Sequence, residues 1–526
     1  MKWKAIVFSM ILFFSQVLQG GSNIDPYLSH LSKREIRGVL QFLSDDLLEG
    51  RAPGTRGGAL AEKYIRSLYQ VMDIEPFFKT YFQPMVLKAF TTEELQVEAG
   101  GLKFAYRKAV MGNYVRERRD FFLEGDAVFA GYGIRSKAWN WDDYKGEDLK
   151  GKILIIRVNE PGRKNPALFN GRALTYYGRW TYKLEEAARA GARGVLLIHT
   201  DETAGYGWEV VRNSWSGEQL YLPEDLKNPL EFRGWIKEKA LKAILNRKGI
   251  SLERLYARSE SRNFRPIPLG LKIKIKGKNS FRTLKANNVV GFIPGRSPKL
   301  RKKFIVLSAH IDHLGKDPSL KGDNIFNGAI DNASAVASMM AAARVLKEYQ
   351  AHLDYSVVLL ACQAEEAGLL GSRYFARSLD PSSVVVNINF ESTPVWERTS
   401  DFMAVGARYS TLEDILKKIL KKEGLNYSYF SMSEQGFFYR SDQFSFARRG
   451  IPAVWISAGE RYASGRNRLM EFFRGNYHTP ADEYDPNWPL ESTLQTVKIA
   501  LLLVDYINRV HPRITWKGKM TFPVEK

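Results

Sequence analysis

The chain has 526 residues, 44% of them hydrophobic and 13% aromatic. That is too long for one small core and too apolar for a disordered chain, so two or three packed domains are expected. Lys and Arg outnumber Asp and Glu by 78 to 57, a formal net charge of +21. The basic residues are scattered, in short clusters such as Arg301-Lys302-Lys303 without interleaved aromatics, which excludes a dedicated nucleic-acid surface and implies a solvated basic one.

Lys2 and Lys4 precede the apolar run AIVFSMILFFSQVL, followed by the small residues Gly20, Gly21 and Ser22. Residues 1–22 therefore read as an export signal, too short for a convincing spanning helix. An uncleaved signal anchor is the alternative. No cysteine follows the run, and no later stretch is apolar enough to cross a bilayer. The expectation is an exported protein, periplasmic or secreted, without stable membrane insertion.

Residues 23–81 read as helical. SKREIRGVLQFLSDDLLEG and LAEKYIRSLYQVM have apolar positions at helical spacing, with a loop between them over GRAPGTRGG. Residues 82–284 have another texture: a strand at GKILIIRV, a helix at YKLEEAARAGA, a strand at GVLLIHT, and long polar and aromatic loops. Nothing there has metal-ligand spacing, and His199 ends its strand alone. This segment reads as an inserted domain. Over 285–526 strands and helices alternate: strands at KKFIVLSAH, YSVVLLACQA, SSVVVNINFE and IPAVWIS, and helices at NASAVASMMAAARVLKEY, EEAGLLGSRYFARSL, TLEDILKKILKKEG and ESTLQTVKIALLLVDYINRV. Continuous apolar strands between amphipathic helices predict an α/β fold, a mostly parallel mixed sheet flanked by helices. Cys362, the only cysteine, excludes an internal disulfide and a CxxC metal knuckle. Within VVLLAC it reads as a buried small hydrophobe.

The chemistry lies in the C-terminal half. His310, Glu365-Glu366 and Glu391 each fall where a predicted strand ends, and Asp331 sits in a Gly/Asn-rich loop before a helix. In open α/β sheets the functional crevice lies outside the carboxyl ends of the strands. Separations of 21, 35, 25 and 87 residues between His310, Asp331, Glu366, Glu391 and His478 can thus collapse onto one rim. Two histidines and three carboxylates suit zinc, with cobalt or manganese as substitutes. One carboxylate can bridge two metals, and Asp331 is central enough to do so. Asp312, two residues after His310, is expected to accept the other ring N–H of that imidazole. Glu366 is read as a ligand and Glu365 as the base that takes a proton from a metal-activated water. His30, His313, His352 and His511 lack such placement and read as structural or exposed. Ser441-Asp442 reads as a helix cap rather than a substrate contact. The aromatic run Phe437-Phe438-Tyr439 is a candidate pocket for apolar side chains. There is no GxSxG, HExxH or GxxxxGK[ST], so a hydrolase serine elbow, a zincin helix and a P-loop are unsupported.

AHIDHLG, GAIDNAS, QAEEAGLLGSRYF, INFE, RSDQFSFARRGIPAVW and YHTPADEYD resemble, in order, the motifs of the M28 family of zinc metallopeptidases, which includes bacterial aminopeptidases. YYGRWTYKLEEAARAGARGVLLIH is similar to the protease-associated domain inserted in many members. The resemblance implies a zinc-dependent exopeptidase fold with residues 23–81 and 285–526 forming the peptidase domain around an inserted PA-like domain at 82–284, itself open to protein contacts. It implies two zinc ions, one held by His310, Asp331 and Glu391 and the other by Asp331, Glu366 and His478. It also implies Glu365 as general base, Asp312 as support for His310, and Tyr477 as a group that polarises the scissile carbonyl. Where the family usually has aspartate, this chain has Glu391. The implied activity on peptides is that of an aminopeptidase. A carboxypeptidase or dipeptidase, a glutaminyl cyclase and a non-catalytic binding protein are the alternatives.

Overall fold

The computed structural model describes residues 22–163, 165 and 167–525. Of the expected export segment only Ser22 falls among them. Helix α1 (Lys33–Leu43) opens on Ser32, whose side chain accepts the Glu35 N–H, and it buries Ile36, Val39, Leu40 and Leu43. Helix α2 (Arg56–Val71) begins inside the stretch expected to be loop, capped by Thr55. Close packing explains its glycines: a Cβ on Gly57 would lie 1.6 Å from the Leu48 carbonyl oxygen.

Strand β1 (Phe82–Ala99) leads into the segment 82–284, which also contains β2 (Val110–Tyr114), β3 (Asp120–Phe129), β4 (Ile153–Arg157), helix α3 (Trp180–Arg189), β5 (Gly194–His199) and β6 (Phe232–Lys237). The chain returns through β7 (Ile267–Ile293), a strand of 27 residues. Its register with β1 runs antiparallel from Ile273↔Ala99 to Val289↔Phe82. The position 284/285, where the sequence texture changes, lies inside this strand.

Beyond it come β8 (Phe304–His310), α4 (Ser334–Glu348), β9 (Ser356–Cys362), α5 (Leu370–Arg377), β10 (Val384–Phe390), β11 (Asp401–Val405), α6 (Leu412–Lys422), β12 (Asn426–Ser428), β13 (Ala453–Ala458) and α7 (Glu491–Val510). The strand order is β12-β11-β13-β10-β8-β9-β7-β3-β4-β5-β6-β2. Strands β9, β8, β10 and β13 are mutually parallel in that row, and so are β3 to β6. Antiparallel β7 joins the two parallel blocks. Helices α1, α2, α4 and α7 pack on one face of the C-terminal block in a single core. The helix expected over EEAGLLGSRYFARSL forms only from Leu370, because Ala364 and Leu369 both take left-handed backbone conformations and leave Glu365-Glu366 in a turn. Cys362 is buried at the end of β9. Among the described residues no helix is long and apolar enough to cross a membrane.

Candidate metal centre

His310 is the last residue of β8, Glu391 follows β10 directly, and Glu365-Glu366 lie in the turn after β9. These are carboxyl ends of parallel neighbours. Asp331 lies in an irregular turn before α4, and His478, with φ 57°, lies in the loop after a short helix, Arg468–Gly475. Two connections pin these loops together. The Asp482 carboxylate accepts the backbone N–H of Ile330 at 2.8 Å and of Asp331 at 2.9 Å. The Asn332 side-chain oxygen accepts the Ser392 N–H at 2.8 Å, tying the Asp331 turn to the Glu391 loop.

The histidines and acids converge around Asp331. Its Oδ1 lies 3.3 Å from His310 Nε2 and its Oδ2 3.1 Å from His478 Nε2. His310 Nε2 is also 3.1 Å from Glu391 Oε1, and His478 Nε2 is 3.2 Å from Glu366 Oε2. The His478 nitrogen makes no hydrogen bond despite these distances. It faces the two oxygens across a common point rather than along an N–H. Ligands at 2.0–2.1 Å around a tetrahedral zinc are separated by about 3.3 Å. Donor types, separations and the orphaned nitrogen therefore fit a pair of divalent cations, one on each side of Asp331. Glu365 lies further out, its Oε2 3.9 Å from His310 Nε2, though still within reach of a cation shared with His310 and Glu391.

The charges divide accordingly. Burial opposes an imidazolium at His310 and His478, but the facing acids outweigh it. Glu391 and Glu365 hold His310 well above its ordinary pKa, and Glu366 and Asp331 hold His478 at about 10. Burial likewise opposes ionisation of Glu366 and Asp331, yet the histidines keep both well below the usual carboxylate range. Glu365 goes the other way: burial first, then repulsion by Glu366 and Glu391, raises its pKa well above normal.

The surroundings correct several expectations. The Asp312 carboxylate does not take the His310 ring N–H: its Oδ1 is 3.8 Å from Nδ1, whereas the Asp312 carbonyl oxygen is 3.1 Å away. The carboxylate instead accepts the backbone N–H of Glu365 at 3.1 Å and of Glu366 at 3.3 Å. Asp312 therefore orients His310 through its main chain and the two glutamates through its side chain. Burial raises its own pKa to about 7. Ser441 caps no helix. It donates to Glu391 Oε2 at 2.5 Å and accepts from Asn389 Nδ2 at 2.8 Å. Asp442 is the residue preceding the short helix Gln443–Ala447, and its side chain makes no cap bond either. His313 is buried beside the centre, its Nδ1 2.7 Å from Glu366 Oε1. His199 does stand alone, bonded to the Tyr206 carbonyl.

Arg51, in the stretch taken for a loop, is 1% exposed. Its guanidinium donates to the carbonyls of Ile311 (2.9 Å), Asn327 (2.5 Å), Gly328 (3.2 Å) and Leu43. It thus braces the chain on both sides of the centre. Burial lowers its pKa to about 10, while Asp312, Asp482 and Asp331 hold it up. The signal for this residue was the EGRAPGT stretch itself, since an arginine between helices that lacks an acidic partner at helical spacing has to find acceptors elsewhere.

A cleft opens on the centre, lined by Asp331, Glu365, Glu391, Phe437, Arg440, Trp455, Phe473 and Tyr477 among others. The Tyr477 ring stacks on His478 with centroids 3.9 Å apart. Of the aromatic run, Phe437 lines this cleft and also the neighbouring cavity. Phe438 and Tyr439 turn to a second cavity shared with Leu174, Tyr409 and Tyr429.

Residues 288–502 match the profile of peptidase family M28. A search of curated proteins finds no match. The fold resembles an aminopeptidase from Aneurinibacillus sp. strain AM-1, with 18% identity, TM-score 0.52 and coverage of 95% of this chain and 98% of that one. BSAP, a zinc aminopeptidase from Bacillus subtilis, is also similar, with 19% identity, TM-score 0.43 and coverage of 94% and 98%.

Proposed function

Residues 288–502 match peptidase family M28, and on that match we propose that the chain is a metallopeptidase of that family, an exported two-metal aminopeptidase. The observation that carries the two-metal reading is Asp331, whose two oxygens face His310 on one side and His478 on the other at 3.3 and 3.1 Å. One cation would be held by His310, Asp331 and Glu391, the other by Asp331, Glu366 and His478. When bound, such cations, zinc or in its place cobalt or manganese, supply Lewis acidity toward the peptide carbonyl and lower the pKa of water.

The chain's own groups do the rest. Glu365 shares the cleft and lies further from His310 than Glu391 does, 3.9 against 3.1 Å, so we assign its carboxylate to take the proton of the attacking water and hand it to the leaving amine. Its raised pKa suits both halves of that transfer. Tyr477, held flat against His478, offers its hydroxyl to the oxygen that becomes negative in the tetrahedral intermediate. Asp312 fixes both glutamates through their backbone N–H groups, so neither can take the other's place. Export rests on the basic and apolar pattern of residues 1–22.

The test is to purify the mature chain, measure metal per chain, and assay aminoacyl and carboxyl-terminal substrate panels with and without chelator. About two metals per chain and chelator-sensitive release of N-terminal residues are expected. Glu365→Gln should retain metal and lose turnover. Unchanged cleavage in that variant would remove the base from the reading.

A further inference from the structure

Of the histidines outside the donor set, His313 is the one the fold brings to it. It lies just past the end of β8 and is 1% exposed. Its Nδ1 is 2.7 Å from Glu366 Oε1, and its ring meets that of His478 edge-on, with centroids 5.6 Å apart. The other ring nitrogen, Nε2, is buried without a hydrogen bond. A buried polar atom without a partner is unfavourable, and an apolar side chain of similar size would fill the space without it. Packing alone therefore does not account for a histidine here.

The backbone makes room for this ring. Gly328 has φ 57°, and a Cβ on it would lie 2.6 Å from His313 Cδ2 and 2.7 Å from Cγ. Arg51 holds both sides of that contact, donating to the carbonyls of Ile311 at 2.9 Å and Gly328 at 3.2 Å. The imidazole is thus fixed with Nδ1 toward Glu366. An ionised carboxylate only accepts, so Nδ1 carries the hydrogen. The bond occupies Glu366 Oε1 and leaves Oε2, 3.2 Å from His478 Nε2, for a cation. The same division recurs on the other side of Asp331. There Ser441 donates to Glu391 Oε2, while Oε1 faces His310 at 3.1 Å. Each outer carboxylate turns one oxygen to a ligand histidine and has the other held by a donor from outside the cage.

We propose that His313 is the positioning residue for the cation shared by Asp331, Glu366 and His478, and that it sets the affinity of that site independently of the other. This rests on the two-metal reading and deepens it. A donor behind a ligating carboxylate fixes its orientation, and losing one costs about 10–100-fold in metal affinity. His313 and Ser441 hold different carboxylates and do not bond each other, so their effects separate.

The test titrates the metal-free protein with zinc in competition with a fluorescent chelator. His478→Ala should delete one equivalent and so marks the site. His313→Leu, or His313→Ala if leucine does not fold, should weaken that same equivalent about 10–100-fold and leave the other within about twofold. The intact equivalent reports that the variant is folded. His313→Asn puts an amide N–H where the ring Nδ1–H stood and should restore affinity to within about threefold of wild type. Ser441→Ala should weaken only the other equivalent. With zinc in excess, kcat of His313→Leu should return to within about threefold of wild type, because the ring touches neither substrate nor cation. Wild-type affinity at both sites in His313→Leu, or an equal loss at both, would overturn the role and leave the two-metal reading standing. A wild type that takes up a single cation would end that reading and the independent setting of two sites with it. Loss at one site only, in a protein that cleaves no peptide, would end the peptidase reading and keep the role of His313.

Discussion

Ser441→Ala distinguishes the arrangement in the folded chain from the simplest local reading of the sequence. As a helix cap, Ser441 would contribute about 0.5–2 kcal/mol to folding and nothing to metal binding. In the structure it donates at 2.5 Å to Glu391 Oε2, the oxygen on the far side of the carboxylate from His310. Its own oxygen is held by Asn389 Nδ2 at 2.8 Å. A hydrogen bond to a charged group is worth about 1.5–3 kcal/mol. Removing it frees the Glu391 carboxylate to rotate, so a cation beside His310 should be held about 10–100-fold less tightly. The cost to the metal-free fold should be smaller, about 1 kcal/mol, because Glu391 keeps its contact with His310. The assay is competition with a fluorescent chelator, run beside thermal unfolding of the metal-free protein. A variant with metal affinity within about twofold of wild type and a lowered melting temperature would restore the cap and refute the support role.

Other outcomes follow from the same geometry. Arg51→Met leaves buried carbonyls without their donor and should cost about 3–5 kcal/mol in urea unfolding. Arg51→Lys should recover only part, since an ammonium has three donors for four carbonyls. Wild-type stability in Arg51→Met would contradict the bracing role. Asp312→Asn puts an amide NH₂ against one of the two backbone N–H groups of Glu365 and Glu366, and kcat should fall with metal content little changed. A kcat equal to wild type would show that the glutamates are positioned without it. Chelator-treated protein should lose thermal stability as pH rises. His478 is held at about 10 in the fold, against the pull of burial, and burial raises Asp312 and Asp482 to about 7. All three bind a proton more tightly folded than unfolded. The histidine's contribution is complete below about pH 6.5 and is lost as pH rises through about 10. The carboxyl contributions are complete below about pH 4 and are lost as pH rises through about 7. A melting temperature flat from pH 6 to 10 would contradict this.

The placement of the chemistry was legible because strand ends are legible. Apolar runs such as FIVLSAH and VVVNINF announce buried parallel strands, and a polar residue that closes one has nowhere to go but the crevice. Contacts set by backbone shape were not legible. His310 and Asp312 would share a side on an extended chain, but β8 ends at His310, so the carboxylate turns away to the Glu365 turn. Ser441 looked like a cap because it precedes a helix. Its partner, Glu391, lies 50 residues earlier and meets it only across neighbouring strands. His313 seemed idle because its one partner, Glu366, lies 53 residues further on. The change of texture near residue 284 is real, yet β7 runs through it, pairing with β9 at its end and with β1 and β3 before. Composition records what each half of that strand packs against, not where the strand stops.

The adjacent glutamates sit in one turn but in two environments, which the proposed function turns into two roles. Glu365 and Glu366 share a backbone and a common anchor in Asp312, yet their acidities are driven apart. Glu366 points at two histidines, His313 and His478, and is held as an anion, as a ligand must be. Glu365 points into the cleft, where burial and the neighbouring anions Glu366 and Glu391 favour its protonated form. Environments that separate two like groups in this way are those that divide acid from base work at one pH. The separation depends on the turn. If the backbone N–H groups lost Asp312, either carboxylate could swing toward the cations and the cleft would lose its proton acceptor. On the proposed reading, Asp312, which holds the backbone N–H groups of both glutamates, would decide which of its neighbours binds and which reacts.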